Sequence, residues 1–323
     1  MRLPDFLIIG AMKAGTTTLF HDLMLNPRVF FPLDKEPEFL CRDEVLSEDG
    51  RRRYAKLFAR ARADQLCAEA STAYAKRPVY EGVPARALRA LGGELKVLYI
   101  VRDPVKRMAS QHRHEVGVGR LETRPDVNAA VREIGRYLDY SRYAMQLEPW
   151  LEAFGPERVR VIVFERYVGA RARTIAAVSE FLGVAPAVEG LDEGRVYNRG
   201  DERRALRGPW RWLVKGSAYR RLLRPLLSGE TRRRLRETLL PKAPAPVGGL
   251  TPETAEWAWD QLAADIDRFT TMLSGSGLLL PGEDPAFHGW DREPRAREVE
   301  DRGEPGEAHG RYIEPRTNPP TTH

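Results

Sequence analysis

The stretch DFLIIGAMKAGTTTLF, residues 5–20, constrains this chain more than any other. Phe6–Ile9 is apolar without alternation, the pattern of a strand covered on both faces in a parallel sheet. A loop bounded by Gly10 and Gly15 follows and carries Lys13 between them. Thr16, Thr17 and Thr18 then open a helix. The first backbone N–H groups of a helix have no intrahelical acceptor, and the helix dipole adds positive character there. Glycine lets the backbone approach a ligand without a Cβ in the way. A strand, a glycine-bounded loop with one lysine, and a hydroxyl-rich helix start together make a cradle for a phosphate or sulfate group.

The rest of the pattern predicts where that cradle sits. Lys96–Val101 and Val159–Phe164 are further apolar strands, and Leu66–Ser71 is a short one. Helices are predicted from Thr16 to about Asn26, over Arg51–Arg62, Val83–Leu91, Val105–Glu115, Tyr137–Phe154 and Arg173–Leu182, with a mobile loop at 117–126. Strands alternating with helices argue an α/β fold: a doubly wound, mostly parallel sheet flanked by helices. Such sheets bind ligands at the carboxyl ends of their strands. Beyond Pro186 the chain becomes a polar loop and then a helical extension. Its last helix starts at Thr251–Pro252, a good N-cap and first helical residue. The expected organisation is one domain over residues 1–290, with a donor-binding core at 4–204 and a helical part at 205–290. Residues 291–323 are charged, poor in aliphatics and expected to be a disordered tail.

Composition narrows the classes. Of 323 residues, 42% are hydrophobic and 30% charged, ordinary for a soluble globular protein. No apolar run approaches the roughly 20 residues a membrane-spanning helix needs. Leu7-Ile8-Ile9 is too short for a signal-peptide core. Two cysteines, Cys41 and Cys67, give no disulfide framework, so a cytoplasmic location is expected. No His/Cys cluster has metal-ligand spacing, and no metal is expected. Charge is uneven: Arg195–Arg236 holds 14 Lys/Arg against three acids, +11, which leaves −5 for the remainder of a +6 chain. That segment suits an anionic partner, or is a pair of solvated arginine-rich helices.

The first motif departs from the nucleotide triphosphatase loop G-x-x-x-x-G-K-[ST] at one position. Its two glycines keep the spacing, but Thr16 follows Gly15 and the lysine lies inside the loop at Lys13. A second motif, VLYIVRDPVKRMAS at residues 97–110, ends a strand on Arg102 and places Ser110 on the next helix. An arginine fork and a hydroxyl suit a phosphate. Together the two motifs closely resemble the 5′-phosphosulfate and 3′-phosphate loops of sulfotransferases that use 3′-phosphoadenosine 5′-phosphosulfate (PAPS), in particular the heparan sulfate sulfotransferase-like group and its bacterial relatives. The resemblance is sharp over about residues 4–204.

The resemblance implies roles by position. Gly10, Ala11, Met12, Lys13, Ala14, Gly15, Thr16, Thr17 and Thr18 would hold the 5′-phosphosulfate, with Lys13 also catalytic. Arg102 and Ser110 would hold the 3′-phosphate. Glu36, in KEPEF at residues 35–39, matches the family's general base, with Glu38 the alternative. The family's small-molecule branch uses histidine, which keeps His112 and His114 as candidates, although each also reads as a solvated or helix-packed residue. EASTAY at residues 69–74 resembles the segment lining the acceptor side through Ser71 and Tyr74. Ala70 stands there where animal glycan enzymes often carry lysine, which weakens a sulfated polysaccharide as acceptor. Asn198, Arg199 and Arg203 or Arg204 match, loosely, a loop that closes over the donor. The implied reaction is sulfuryl transfer from PAPS, leaving PAP, to a hydroxyl on a sugar or glycosylated natural product. Nucleic acid is not expected as a partner. A P-loop kinase or NTPase and an arginine-rich nucleic-acid-binding protein are the competing readings; the first lacks its lysine after Gly15, the second a recognisable reading module.

Overall fold

Alternate side chains of the central strands enter opposite layers. Leu7 and Ile9 face one core with Val97, Tyr99, Val101, Val159, Val161 and Val163. Phe6 and Ile8 face the other with Leu98, Ile100 and Ile162. This period-2 division is what turns continuous apolar runs into a sheet covered on both faces. The computed structural model describes residues 1–32, 35–117, 124–192, 249–281, 283 and 290.

Among the described residues five strands form one sheet: β1 (Phe6–Gly10), β2 (Val29–Phe30), β3 (Leu66–Ala70), β4 (Lys96–Val101) and β5 (Val159–Val163). Their spatial order is β2-β3-β1-β4-β5, and every pairing is parallel. The fold class read from the sequence is the one found. After β3 the chain passes over β1 to reach β4. The order therefore reverses around β1, and the crevice at its carboxyl end is where such sheets bind ligands.

The α-helices among the described residues are α1 (Thr16–Leu23), α2 (Glu48–Ala55), α3 (Val83–Leu91), α4 (Pro104–Gly117), α5 (Val127–Glu133), α6 (Arg136–Asp139), α7 (Tyr143–Phe154), α8 (Phe164–Gly169), α9 (Arg171–Leu182) and α10 (Pro252–Leu273). Packing on the second core comes from α1 and α9, through Leu19, Leu23, Ile175 and Val178. On the first core it comes from α3, α7 and α10, through Ala87, Leu147, Trp150 and Phe269. The α10 start is capped as its sequence predicts, with Thr254 N–H donating to Thr251 Oγ1 at 3.3 Å. The same helix caps α7: Asp265 accepts from the backbone N–H groups of Ala144 and Met145, each at 3.0 Å.

Several boundaries differ from the sequence reading, each for a local reason. Tyr137–Phe154 is two helices, because Asp265 caps a fresh start at Tyr143 and Ser141 bonds back to Tyr137 O. The helix expected at Arg51–Arg62 begins earlier, where Ser47 caps it through Gly50 N–H, and tightens into a 3₁₀ turn at Lys56–Phe58. Phe164 opens α8 instead of ending β5. α5 is capped by Asp126, which falls at the end of the segment read as a loop.

Candidate active site

Gly10 to Gly15 leave the end of β1 and turn into α1. Gly15 has φ of 99°, and an added Cβ would lie 2.5 Å from the Phe164 ring. Both the left-handed backbone and the close ring require glycine there. An added Cβ at Gly10 would meet Ala75 Cβ at 2.9 Å. Gly15 occupies the α1 N-cap position and offers no side chain to the first-turn N–H groups. Those amides and the Thr16–Thr18 hydroxyls make a donor set of the kind that can hold an anion. Thr16 and Thr18 are buried and Thr17 is half-buried.

Two arginines from beyond β4 hold this loop by its carbonyls. Ala11 N–H donates to Ile100 O at 2.6 Å, tying the loop to β4. Arg102 Nη1 donates to Lys13 O at 3.3 Å, and its guanidinium stacks on Phe164 with Cζ 4.8 Å from the ring centre. Among the described residues Arg102 Nε is buried without a hydrogen-bond partner, a donor disposed to take an anion. Lys13 itself has φ of 70°, an uncommon conformation for a side-chain-bearing residue.

Arg107 is fully buried one turn further along α4. It donates to Met12 O at 3.4 Å, Ser141 Oγ at 2.8 Å, Gln111 Oε1 at 2.8 Å and Tyr137 O at 2.7 Å. Gln111 Nε2 then donates to Glu115 Oε1 at 3.0 Å, and Glu115 also accepts from Arg136 and Tyr137, each at 2.8 Å. Burial would push the Glu115 carboxyl up, but the bonds from Arg136, Gln111 and Tyr137 outweigh it and bring it down to about 2. Residues 107, 111 and 115 are four apart, one face of α4. Their signal in the sequence was that spacing, which is also the spacing of any solvated helix face.

The start of α4 is fixed separately. Asp103 Oδ1 accepts from Lys106 N–H at 2.9 Å, and Asp103 N–H donates to Glu165 Oε1 at 3.1 Å. Glu165 Oε2 in turn accepts from Trp290 Nε1 at 3.1 Å. Ser110 is half-buried, about 9 Å along the helix axis from its first residue at 1.5 Å per residue.

Across the crevice lies the segment 35–41. Lys35 Nζ donates to Thr17 Oγ1 at 2.8 Å and stands 3.7 Å from Glu36 Oε1. Glu36 is therefore beside the cradle, and its side chain is 37% exposed, open to an incoming hydroxyl. Its N–H donates to Ala70 O at 3.1 Å, and Thr72 Oγ1 donates to Oε1 at 3.4 Å. Glu36 and Glu38 have φ of 60° and 58°. Ser71 and Tyr74 are buried, and both hydroxyls donate to the buried carboxylate Glu69.

The sequence-predicted residues thus separate into groups. Lys13, the Gly10–Thr18 loop, Arg102 and Glu36 come together at the carboxyl ends of β1, β3 and β4. Ser71 and Tyr74 lie beneath the 36–40 segment with their hydroxyls turned inward. His112 is buried on α4 with Nε2 2.8 Å from Arg124 O and its ring against Tyr137; its neighbour His114 is half-buried. Asn198, Arg199, Arg203 and Arg204 lie outside the described residues, as do the 195–236 arginines and the 291–323 tail. Among the described residues no group of three or more His, Cys, Asp or Glu side chains is placed to hold a metal ion, and no helix is long and apolar enough to cross a membrane.

A family model for the sulfotransferase domain matches residues 3–197. The chain belongs to the sulfotransferase domain family. Mouse heparan sulfate glucosamine 3-O-sulfotransferase 3B1 is 30% identical over 195 residues, which cover 57% of this chain and 47% of that protein. Human heparan sulfate glucosamine 3-O-sulfotransferase 6 is 30% identical over 203 residues, covering 58% and 54%. The chain therefore spans about half the length of the relatives it matches. A crystal structure of a sulfotransferase from Alicyclobacillus acidocaldarius superposes with a TM-score of 0.57 at 22% identity, over 84% of this chain and 96% of that one. The sulfotransferase fold is common to both.

Proposed function

We propose that this sulfotransferase-family chain moves a sulfuryl group from PAPS to a hydroxyl on a sugar or glycosylated natural product. One observation carries the reading: Arg102 Nη1 lies 3.3 Å from Lys13 O, so the two anion-binding motifs meet in one crevice. A triphosphatase has no use for a second phosphate site there. The fit to PAPS is supported by the uncapped α1 start and by the buried Nε of Arg102, which has no hydrogen-bond partner among the described residues. PAPS, when bound, supplies the sulfuryl group and an adenosine bisphosphate leaving group.

The chain's own residues would do the rest. The Gly10–Thr18 amides and hydroxyls hold the 5′-phosphosulfate, and Arg102 with Ser110 the 3′-phosphate. Lys13 offers an ammonium where negative charge develops on the departing phosphate oxygen. Glu36 takes the acceptor proton, with Glu38 next to it as the alternative base. Positioning and electrostatic stabilisation are the main demands of such a transfer, as in phosphoryl transfer. A sugar acceptor is supported by the relatives, whose names specify heparan sulfate glucosamine. The two free cysteines favour a reducing compartment.

The test is transfer of labelled sulfur from PAPS to a panel of sugar and glycoside acceptors. Wild type should label at least one, and Lys13→Ala should do so about 10²-fold more slowly. ATP hydrolysis with magnesium, and no turnover of PAPS, would overturn the reading.

A further inference from the structure

The candidate base lies on a strained segment, and the restraint on it leads back to Glu69. Glu36 and Glu38 both adopt left-handed φ. For residues with side chains that conformation is unfavourable, and it persists only where the surroundings over-determine it. Three backbone N–H groups of the segment, at alternate residues, are tied to the last residue of β3 and the chain just after it. Glu36 N–H donates to Ala70 O at 3.1 Å, Glu38 N–H to Ser71 Oγ at 3.3 Å and Leu40 N–H to Tyr74 Oη at 3.3 Å.

The last two ties depend on hydroxyls, and a hydroxyl has one proton. Which way that proton points is set beneath them. Glu69 is fully buried, and Ser71 Oγ donates to its Oε1 at 2.6 Å, as does Tyr74 Oη, while Tyr54 Oη donates to Oε2. With both protons committed to Glu69, Ser71 and Tyr74 must present lone pairs to the amides above. Among the described residues no basic side chain bonds Glu69, and its hydrogen-bond partners are these hydroxyls.

We propose that Glu69 is a positioning residue for the candidate base: through Ser71 and Tyr74 it fixes the strained 36–40 segment, and so the Glu36 carboxylate, against the donor cradle. Glu69 itself never touches a reacting group. This inference rests on the reading of Glu36 as the base, and its structural part is testable without that reading.

Four variants test it: Ser71→Ala, Tyr74→Phe, Glu69→Gln and Glu69→Leu. Amide hydrogen exchange at Glu38 and Leu40 should quicken about tenfold or more in Ser71→Ala and Tyr74→Phe respectively, and at both sites in Glu69→Leu. Glu69→Gln keeps an oxygen facing Ser71 and Tyr74 and should stay within about threefold of wild type. PAP affinity by calorimetry should change less than twofold in all four, while kcat falls about tenfold in the first two with KM for PAPS unchanged. A lowered melting temperature with unchanged exchange at Glu38 and Leu40 would overturn the proposal, as would unchanged kcat in Ser71→Ala and Tyr74→Phe. Should Glu69→Leu not fold, the two hydroxyl variants decide alone. If wild type binds no PAP, the function proposed above fails, and the exchange data still judge the tie between Glu69 and the segment.

Discussion

The proposed donor cradle and the proposed base segment face each other across one crevice and are built on opposite plans. The cradle is local: sixteen consecutive residues, 5–20, supply strand, loop and helix start. Of its positive backbone angles, those at Gly10 and Gly15 fall on glycine and one, at Lys13, does not, and its ligand-facing groups are largely main chain. The base segment places comparable angles on Glu36 and Glu38 and is held by side chains more than thirty residues away. A site that must grip an invariant phosphate can be made of backbone. A site that must aim one carboxylate needs side chains, and pays in strain for the aim.

The largest effects should come from the cradle. Lys13→Ala should lower turnover about 10²-fold with folding intact, measured as sulfuryl transfer beside a thermal melt. An equal loss of melting temperature would make Lys13 a loop-conformation residue and blur the contrast. Gly15→Ala should destabilise the fold by about 2 kcal/mol or more, because the Cβ meets the Phe164 ring 2.5 Å away at a left-handed φ. Denaturant titration reads that directly, and a change within about 0.5 kcal/mol would mean the loop is slack.

A comparable effect is expected from acid. Glu115 anchors the far end of the Arg107–Gln111 chain that reaches Met12 O. Its carboxyl falls from an ordinary 4.5 to about 2 in the fold, so the charged form is favoured on folding. That contribution, about 3 kcal/mol at 1.36 kcal/mol per pH unit, is complete above pH 4.5 and lost as pH falls through about 2. Glu115→Gln should remove much of the acid sensitivity in this window; an unchanged pH profile of stability would detach the cradle from this support. The smallest effect belongs to the base segment. Burial, with the nearby charges of Glu38 and Glu69, pushes the Cys41 thiol up to about 12, so Cys41 should alkylate far more slowly at pH 8 than free cysteine. Fast labelling would show the segment to be looser than its hydrogen bonds describe.

The same contrast explains what was legible in the sequence. The parallel sheet, the cradle and Arg102 follow from runs, glycines and a strand end, all local signals. Glu36 was reachable only through a family resemblance, since KEPEF is otherwise an exposed turn. Arg107 and Glu69 were missed as partners. Arg107 carries the same spacing as a solvated helix face, and nothing in EASTAY says that Tyr54 will arrive to share its glutamate. The break at Tyr140–Arg142 was hidden too, because it depends on Asp265, more than 120 residues on. Non-local hydrogen bonds leave no period in a sequence.

Calorimetry of PAP against 5′-AMP, with wild type and Arg102→Ala, tests the central claim most directly. Two anion sites in one crevice predict that wild type binds PAP at least tenfold more tightly than 5′-AMP, and that Arg102→Ala erases most of that difference. Equal affinity for the two nucleotides in wild type would contradict the account.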